Sequence, residues 1–535
     1  MKLPQLAVPV IGALLLVCAR AGAHEDELLR TGPTDRLGEV TFPISCSRPV
    51  QEQFNQAVAM LHSFFYTEAL KAFVKVTELD PTCAMGYWGV AMSSWYPLWY
   101  PPTKESLTQG SAAVEKARVI QSSTQREQMY IAAIGAFYRD FETVDHKSRA
   151  LAYEKAMQQL YRLYPEDSEA GAFYALALQA TANPNDKTYA NQLASAAILE
   201  RLFAEQPNHP GVAHYLIHAY DYPELAPRAL TAARRYGRIA PAMPHALHMP
   251  SHTFIALGLW QESIQSNLAA KAAAQKAGWI QEQLHSMDYL VYAYLQGAQL
   301  QRASGVLEEF KAATVSDKTH TLATDYSLAA APARFAVEQR RWSDAAALEP
   351  RPSRFPVTQA TTYFARALGA AHTGAIADGT KDMQQIATLR DGLLQAKQEY
   401  WAKQLEVQRV TAEAWLAWAQ GNGEAALALM RTAADLEDST YKHPIAPAQL
   451  LPARELLGDM LLALGKPDQA LIEYEASIRV APNRFNGLYG AAQAAELAGN
   501  RKKAATYYAQ LLAVCEQADT ERPEAQHARL YLAGN

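Results

Sequence analysis

The sequence predicts an all-α fold, a solenoid of stacked helical hairpins, and three observations predict it. First, the composition is that of a globular helical protein: 49% hydrophobic and 19% charged over 535 residues, and rich in alanine, the residue that loses no side-chain entropy in a helix. Second, Gly465, Ala470 and Tyr474 recur 34 residues later as Gly499, Ala504 and Tyr508. Each set fits a helix ending near the Gly, followed by a helix with Ala and an aromatic one turn apart. Third, Gly and Pro punctuate the chain at helix ends, and no block of alternating apolar and polar positions indicates strands.

In chain order, the N-terminus reads as a secretory signal (1–23). Lys2 supplies a positive start, residues 6–17 are a short apolar stretch, and Ala21-Gly22-Ala23 is a small-residue cleavage site. The apolar stretch is too short for a membrane span, and no second run of that length follows. A rival lipoprotein signal at Cys18 is disfavoured by Val17, where such signals want a small residue. The mature chain is therefore expected outside the cytoplasm, periplasmic or secreted, beginning at His24, with no transmembrane segment. An N-terminal histidine can chelate copper through its amine and ring, but His24 opens a polar segment, His24-Glu25-Asp26-Glu27, that argues against this. Cys46, Cys83 and Cys515 remain after cleavage. Cys46 and Cys83 bracket the first hairpin, and an oxidising compartment permits a bridge. Two buried thiols are the alternative.

After an extended segment (24–48), a first helical array spans 49–348. Ala69, Phe73 and Pro81 repeat the spacing of Ala470, Tyr474 and Pro482. Pro207 and Pro241 are 34 residues apart. Residues 104–180 read as helical with looser spacing. A proline-rich connector (349–358) separates a second array (359–535). This grammar resembles the tetratricopeptide repeat (TPR), whose small residues permit close helix packing and whose proline stops the second helix. The resemblance implies a right-handed superhelix whose first helices line a concave groove.

A net charge of -5 without a dense basic run excludes the basic face that nucleic-acid binding requires. The expected partner is a protein, peptide or small molecule in the groove. No His-Glu-x-x-His helix, phosphate-cradling Gly-rich loop, haem-attachment motif or nucleophile elbow is present.

The conspicuous chemistry is a histidine cluster. His214 and His218 are four apart, so on a helix they share a face. His248 and His252 are four apart as well, and each lies 34 residues after its counterpart. Two successive repeats thus carry the same His-x-x-x-His pair on their first, groove-facing helices. Asp221 lies near His218, and His245 lies one turn before His248. His285, Asp288 and Tyr292 follow at helical spacing in the next unit. Neutral imidazole is a common ligand for zinc, copper, iron and nickel. The expected ligands are His214, His218, His248 and His252, with Asp221, His245, His285 and Asp288 as further ligands or orienting partners. His209, directly before Pro210, reads as a loop residue. Other groove candidates are His62, Trp88, Tyr292 and His443. The bland alternatives are packing histidines copied by repetition, or a metal-free polar pocket.

Leu61-His62-Ser63-Phe64, Asp80-Pro81-Thr82-Cys83, the segment 214–221, the segment 244–252 and Leu451-Pro452-Ala453-Arg454 resemble exported bacterial TPR proteins of undefined function. The resemblance implies fold and export, and brings no reaction. The function expected from sequence is a scaffold whose histidine-lined groove binds a ligand through a transition metal. A metal-dependent enzyme using the same residues and a metal-free protein-interaction adaptor are the alternatives.

Overall fold

The computed structural model of the protein describes residues 36–98, 101–120, 124–184, 186–315 and 320–534. The expectations for the signal, cleavage after Ala23, Cys18 and His24 fall outside these residues. Among the described residues no strand occurs, and no helix is long and apolar enough to cross a membrane.

An N-terminal arm lies along later helices, with the Glu39 amide on the Asn208 carbonyl and the Ala242 amide on the Arg36 carbonyl. A Cys46–Cys83 disulfide ties it to the first hairpin. Hairpins then stack in order. They are α1 (Gln51–His62) with α2 (Tyr66–Leu79), α3 (Ala84–Ser93) with α4 (Lys104–Ile120), α5 (Gln125–Tyr138) with α6 (His146–Leu163), and α7 (Ser168–Ala180) with α8 (Ala190–Glu205). The central units are α9 (Pro210–Ala219) with α10 (Ala226–Ile239), the split helix α11 (Pro244–His248) and α12 (Pro250–Ala256) with α13 (Trp260–Lys276), and α14 (Ile280–Gln296) with α15 (Leu300–Ala312). Next come α16 (Leu322–Glu338), α17 (Trp342–Ala346), α18 (Pro356–Thr373), α19 (Ile376–Gln395), α20 (Glu399–Ala419) and α21 (Gly423–Asp438). The last units are α22 (Ala453–Ala463), α23 (Pro467–Val480), α24 (Phe485–Leu497), α25 (Arg501–Val514) and α26 (Pro523–Gly534). The fold is an all-α, TPR-like solenoid. The proline-rich stretch leads from α17 into α18, and α16 packs directly on α18.

The residues marked by the repeat pattern form the joints. Ala69, Phe73, Ala470, Ala504 and Tyr508 are fully buried. The aromatic of one unit packs on a glycine of the next helix: a Cβ at Gly89 would sit 2.0 Å from the Phe73 ring, and one at Gly490 would sit 2.3 Å from the Tyr474 ring. Only a missing side chain admits these rings, so the small residues set helix spacing. At the turn inside each C-terminal hairpin, Gly465 and Gly499 adopt positive φ (+67° and +74°), which glycine tolerates without strain.

The array curls until distant units touch. The Trp260 indole donates to the Asn483 carbonyl at 2.7 Å, and α14 packs on α24. The buried Arg484 guanidinium joins Glu338 (2.9 Å), Glu455 (2.7 Å) and the Tyr292 hydroxyl (2.9 Å). The segment 440–451 between α21 and α22 crosses to the central helices. Lys187 Nζ donates to the Thr440 carbonyl at 3.1 Å, the Tyr289 hydroxyl to the Pro444 carbonyl at 2.8 Å, and Arg334 to the Gln449 carbonyl at 3.0 Å.

Asp80 anchors the arm by accepting from the Ser47 amide (2.9 Å) and from the Thr82 hydroxyl (2.7 Å). The Thr82 and Ser47 hydrogen bonds hold its pKa down from 3.8 to about 2. A depressed carboxyl pKa contributes stability above the unfolded value that is lost as pH falls through the folded one. Asp80→Asn is therefore expected to lower the melting temperature at neutral pH. The gap from wild type should close as pH is taken from 3.8 toward about 2 in thermal melts.

Candidate functional site

The two His-x-x-x-His pairs sit where the repeat register puts them, at the centre of the molecule. On α9, His214 Nε2 and His218 Nε2 are 3.0 Å apart. In the next unit, His248 Nε2 and His252 Nε2 are 3.2 Å apart. The second pair does not lie on one continuous helix. Pro250 has no N–H to donate, so the helix breaks at Met249 between α11 and α12. Met249 keeps helical dihedrals (φ -53°, ψ -35°), and the i, i+4 relation survives the break.

Two further histidines complete two triads. One ring nitrogen from each of His214, His218 and His245 lies within 4.8 Å of the others, and the same holds for His248, His252 and His285. The six rings are buried: His214 and His248 are 0% exposed, His252 2%, and His218, His245 and His285 8%. The cluster is therefore an internal polar centre rather than the wall of an open groove.

Hydrogen bonds on the far side of the rings orient them. His214 Nδ1 donates to the His62 carbonyl at 2.7 Å, an atom that can only accept. His252 Nδ1 donates to Asp221 Oδ2 at 2.9 Å. His245 Nδ1 faces both Glu282 oxygens at 3.2 and 3.3 Å. His248 Nδ1 meets Asn267 Oδ1 at 2.7 Å, while Asn267 Nδ2 donates to the Ser263 carbonyl at 2.8 Å, so the amide presents its oxygen to the ring. In a neutral imidazole one nitrogen carries the proton and the other a lone pair. Four rings thus hold the proton on Nδ1 and turn an Nε2 lone pair inward. Burial pushes the pKa of His214, His218, His252 and His285 below the ordinary value, and that of His248 down to about 3. His245 Nε2 and His285 Nδ1, both buried, have no hydrogen-bond partner among the described residues.

The acidic candidates take different places. Asp221 holds His252 from behind. Burial would raise its pKa, but Lys442 and His252 more than offset this and hold it below the usual carboxylate range. Asp288 belongs to neither triad. It is fully buried 3.7 Å from Arg334 Nε, with both oxygens lacking a hydrogen bond among the described residues, and burial raises it to about 6 despite that arginine.

The remaining groove candidates are placed elsewhere. Trp88 is a core residue against Phe42, Tyr130 and Phe173. Tyr292 is fully enclosed and bonded to Arg484. His443 lies in the crossing segment, stacked on Trp401 at 4.6 Å, with Nδ1 accepting from the Ile445 amide. His62 is saturated: Nε2 contacts Glu169 at 2.8 Å and Nδ1 the Tyr215 hydroxyl at 2.9 Å. His209 does stand in the loop just before α9, but as the buried N-cap of that helix. Its Nδ1 accepts from the Val212 amide and its Nε2 donates to Glu169 at 3.0 Å. His62, Glu169 and His209 are close enough to hold an ion, but all four ring nitrogens already have partners.

Sequence reasoning missed Glu282, Asn267, Tyr289 and Phe64. Only Phe64 carried a signal. It stands five residues before Ala69, where Gly465 precedes Ala470, and it adopts the same left-handed backbone (φ +53°). A phenylalanine in a glycine position is strained. Its ring contacts His214 (4.4 Å between centroids), His218 (5.7 Å) and His245 (5.8 Å), forming an apolar wall of the first triad.

No family model and no curated protein matches the chain. Three solved structures illustrate its likeness to known folds. A human IFIT1 dimer with m7Gppp-AAAA is 10% identical with a TM-score of 0.35, over 88% of this chain and 96% of that one. A monomeric IFIT1 mutant with Gppp-AAAA is 10% identical with a TM-score of 0.36, over 92% and 100%. Another, with m7Gppp-AAAA, is 10% identical with a TM-score of 0.37, again over 92% and 100%. At this level the likeness assigns neither a family nor a ligand to this chain.

Phe64→Gly separates strain from packing. Relief of the positive φ is worth about 1–3 kcal/mol, and loss of a buried phenyl ring costs about 3–5 kcal/mol. Net destabilisation of about 2 kcal/mol is expected in chemical denaturation.

Proposed function

We propose that this protein is an exported helical-repeat scaffold that binds transition metal ions in its buried histidine centre. The observation that supports this reading above all is the set of hydrogen bonds behind the rings. Metal-ligating histidines characteristically donate their other N–H to a carboxylate or carbonyl, which fixes the tautomer and the ring orientation. Here a backbone carbonyl, a side-chain amide oxygen and two carboxylates take that role for four rings. A packing histidine needs one partner per polar atom. The committed lone pairs of His248 and His252 instead face each other at 3.2 Å, and His245 Nε2 has no hydrogen-bond partner among the described residues.

His214, His218 and His245, and His248, His252 and His285, would be the ligands. Asp221, Glu282, Asn267 and the His62 carbonyl would orient them. A donor set of neutral imidazoles suits zinc, copper, iron or nickel rather than magnesium or calcium, which prefer oxygen. Export accords with the Cys46–Cys83 bridge, since disulfides persist in oxidising compartments. A metal-dependent enzyme is the second reading. It is favoured by the count of three imidazoles per triad, because a tetrahedral ion held by three ligands keeps a position for water or substrate.

Metal analysis by mass spectrometry on the tag-free mature protein tests this. Wild type is expected to retain zinc or copper stoichiometrically through desalting. His214→Ala combined with His248→Ala should lose it while keeping its helical circular dichroism. Wild type that takes up no first-row ion contradicts the reading. Removing an orienting group should weaken rather than abolish binding. Asn267→Ala and Asp221→Ala are each expected to lower metal affinity about 10–100-fold in chelator competition.

A further inference from the structure

The sequence led to an expectation of one site, ligated by His214, His218, His248 and His252 together. The geometry points to two. Within each pair the Nε2 atoms are 3.0 and 3.2 Å apart, and each pair gains its third nitrogen from a different residue, His245 for one and His285 for the other. The manner of assembly is the same both times. One unit supplies the His-x-x-x-His pair, and a histidine on the first helix of the following unit closes the triad. Repetition of the helical unit has repeated a complete three-nitrogen ligand set.

The triads also adjoin. The His245 ring lies 5.0 Å from His214 in its own triad and 6.1 Å from His248 in the other, and His218 lies 6.3 Å from His252. An ion in either triad would therefore neighbour an ion in the other. Two-metal sites work at about 3.5–4 Å, where both ions can bind one small oxygen ligand. Tyr289 borders the second triad, with its hydroxyl 3.3 Å from His252 Nε2 and its proton directed to the Pro444 carbonyl.

We propose that the six histidines hold two transition metal ions side by side, one per triad, close enough to share a small oxygen ligand such as hydroxide. The proposal rests on the metal-binding reading above and adds to it the number of ions and their proximity. Each ion has three imidazole nitrogens and an unfilled position. The ligands of the first are His214, His218 and His245, and those of the second are His248, His252 and His285.

Zinc stoichiometry and copper(II) paramagnetic resonance test it on the whole mature chain. Wild type is expected to bind two zinc ions, one per triad. His245→Ala and His285→Ala should each bind one, the retained ion reporting that the fold survives. With copper(II), wild type should show a resonance intensity well below two spins per chain because bridged ions couple, and each variant one full spin. One zinc ion per wild-type chain overturns this inference and leaves the metal-binding function standing. No zinc and no copper overturns both. Two coppers with full two-spin intensity overturn the shared ligand. The wild-type measurements decide the matter even where a variant fails to fold.

Discussion

A hydrogen bond on the outer nitrogen of an imidazole decides what its inner nitrogen can do, and the centre of this protein depends on that coupling. The His62 carbonyl, Asn267, Asp221 and Glu282 each take an Nδ1 proton. Each thereby commits a ring to present a lone pair. A proton on His218 Nε2 satisfies the His214 lone pair at 3.0 Å, but the committed lone pairs of His248 and His252 face each other at 3.2 Å inside a buried space, which is unfavourable on its own. A cation between them removes the conflict. A proton could serve, but burial disfavours imidazolium. A metal ion bound by several rings recovers far more.

The scaffold explains how such a centre is held. Helices stacked at a spacing set by Gly89 and Gly490 are stiff supports, and an i, i+4 pair on one helix has its rings converging before any third ligand arrives. The closure of the array encloses the cluster. Arg484 binds Glu338, Glu455 and Tyr292 across distant units. The 440–451 segment brings the Pro444 carbonyl to Tyr289 and Lys442 to within 3.6 Å of Asp221. Phe64 accepts a strained backbone so that an aromatic ring, not solvent, borders the first triad.

Most of the fold was legible because the repeat writes its packing rules locally. Ala69 and Phe73, or Ala470 and Tyr474, announce a helix joint whatever surrounds them. The two histidine pairs were legible for the same reason, as residues in register. What could not be read were contacts made across units. Glu282 and Asn267 are an ordinary acid and amide until folding puts them behind His245 and His248. Asp288 shares the helical spacing of His285 yet faces Arg334, because the partner on α16 decides its direction. His209 looked like no more than a loop residue because Pro210 follows it, whereas a proline at the first helical position makes its predecessor a cap. The burial of the centre was also hidden, since enclosure comes from residues more than 150 positions away.

The most direct test of the account is the protonation state of the centre itself. Long-range nitrogen-15 correlation spectra of the metal-free protein, selectively labelled at histidine and recorded at neutral pH, report which ring nitrogen carries the proton. The account predicts that His214, His248 and His252 are neutral rings protonated at Nδ1, and that their Nε2 signals shift on adding zinc. Rings protonated at Nε2, or imidazolium at these three positions, would contradict it.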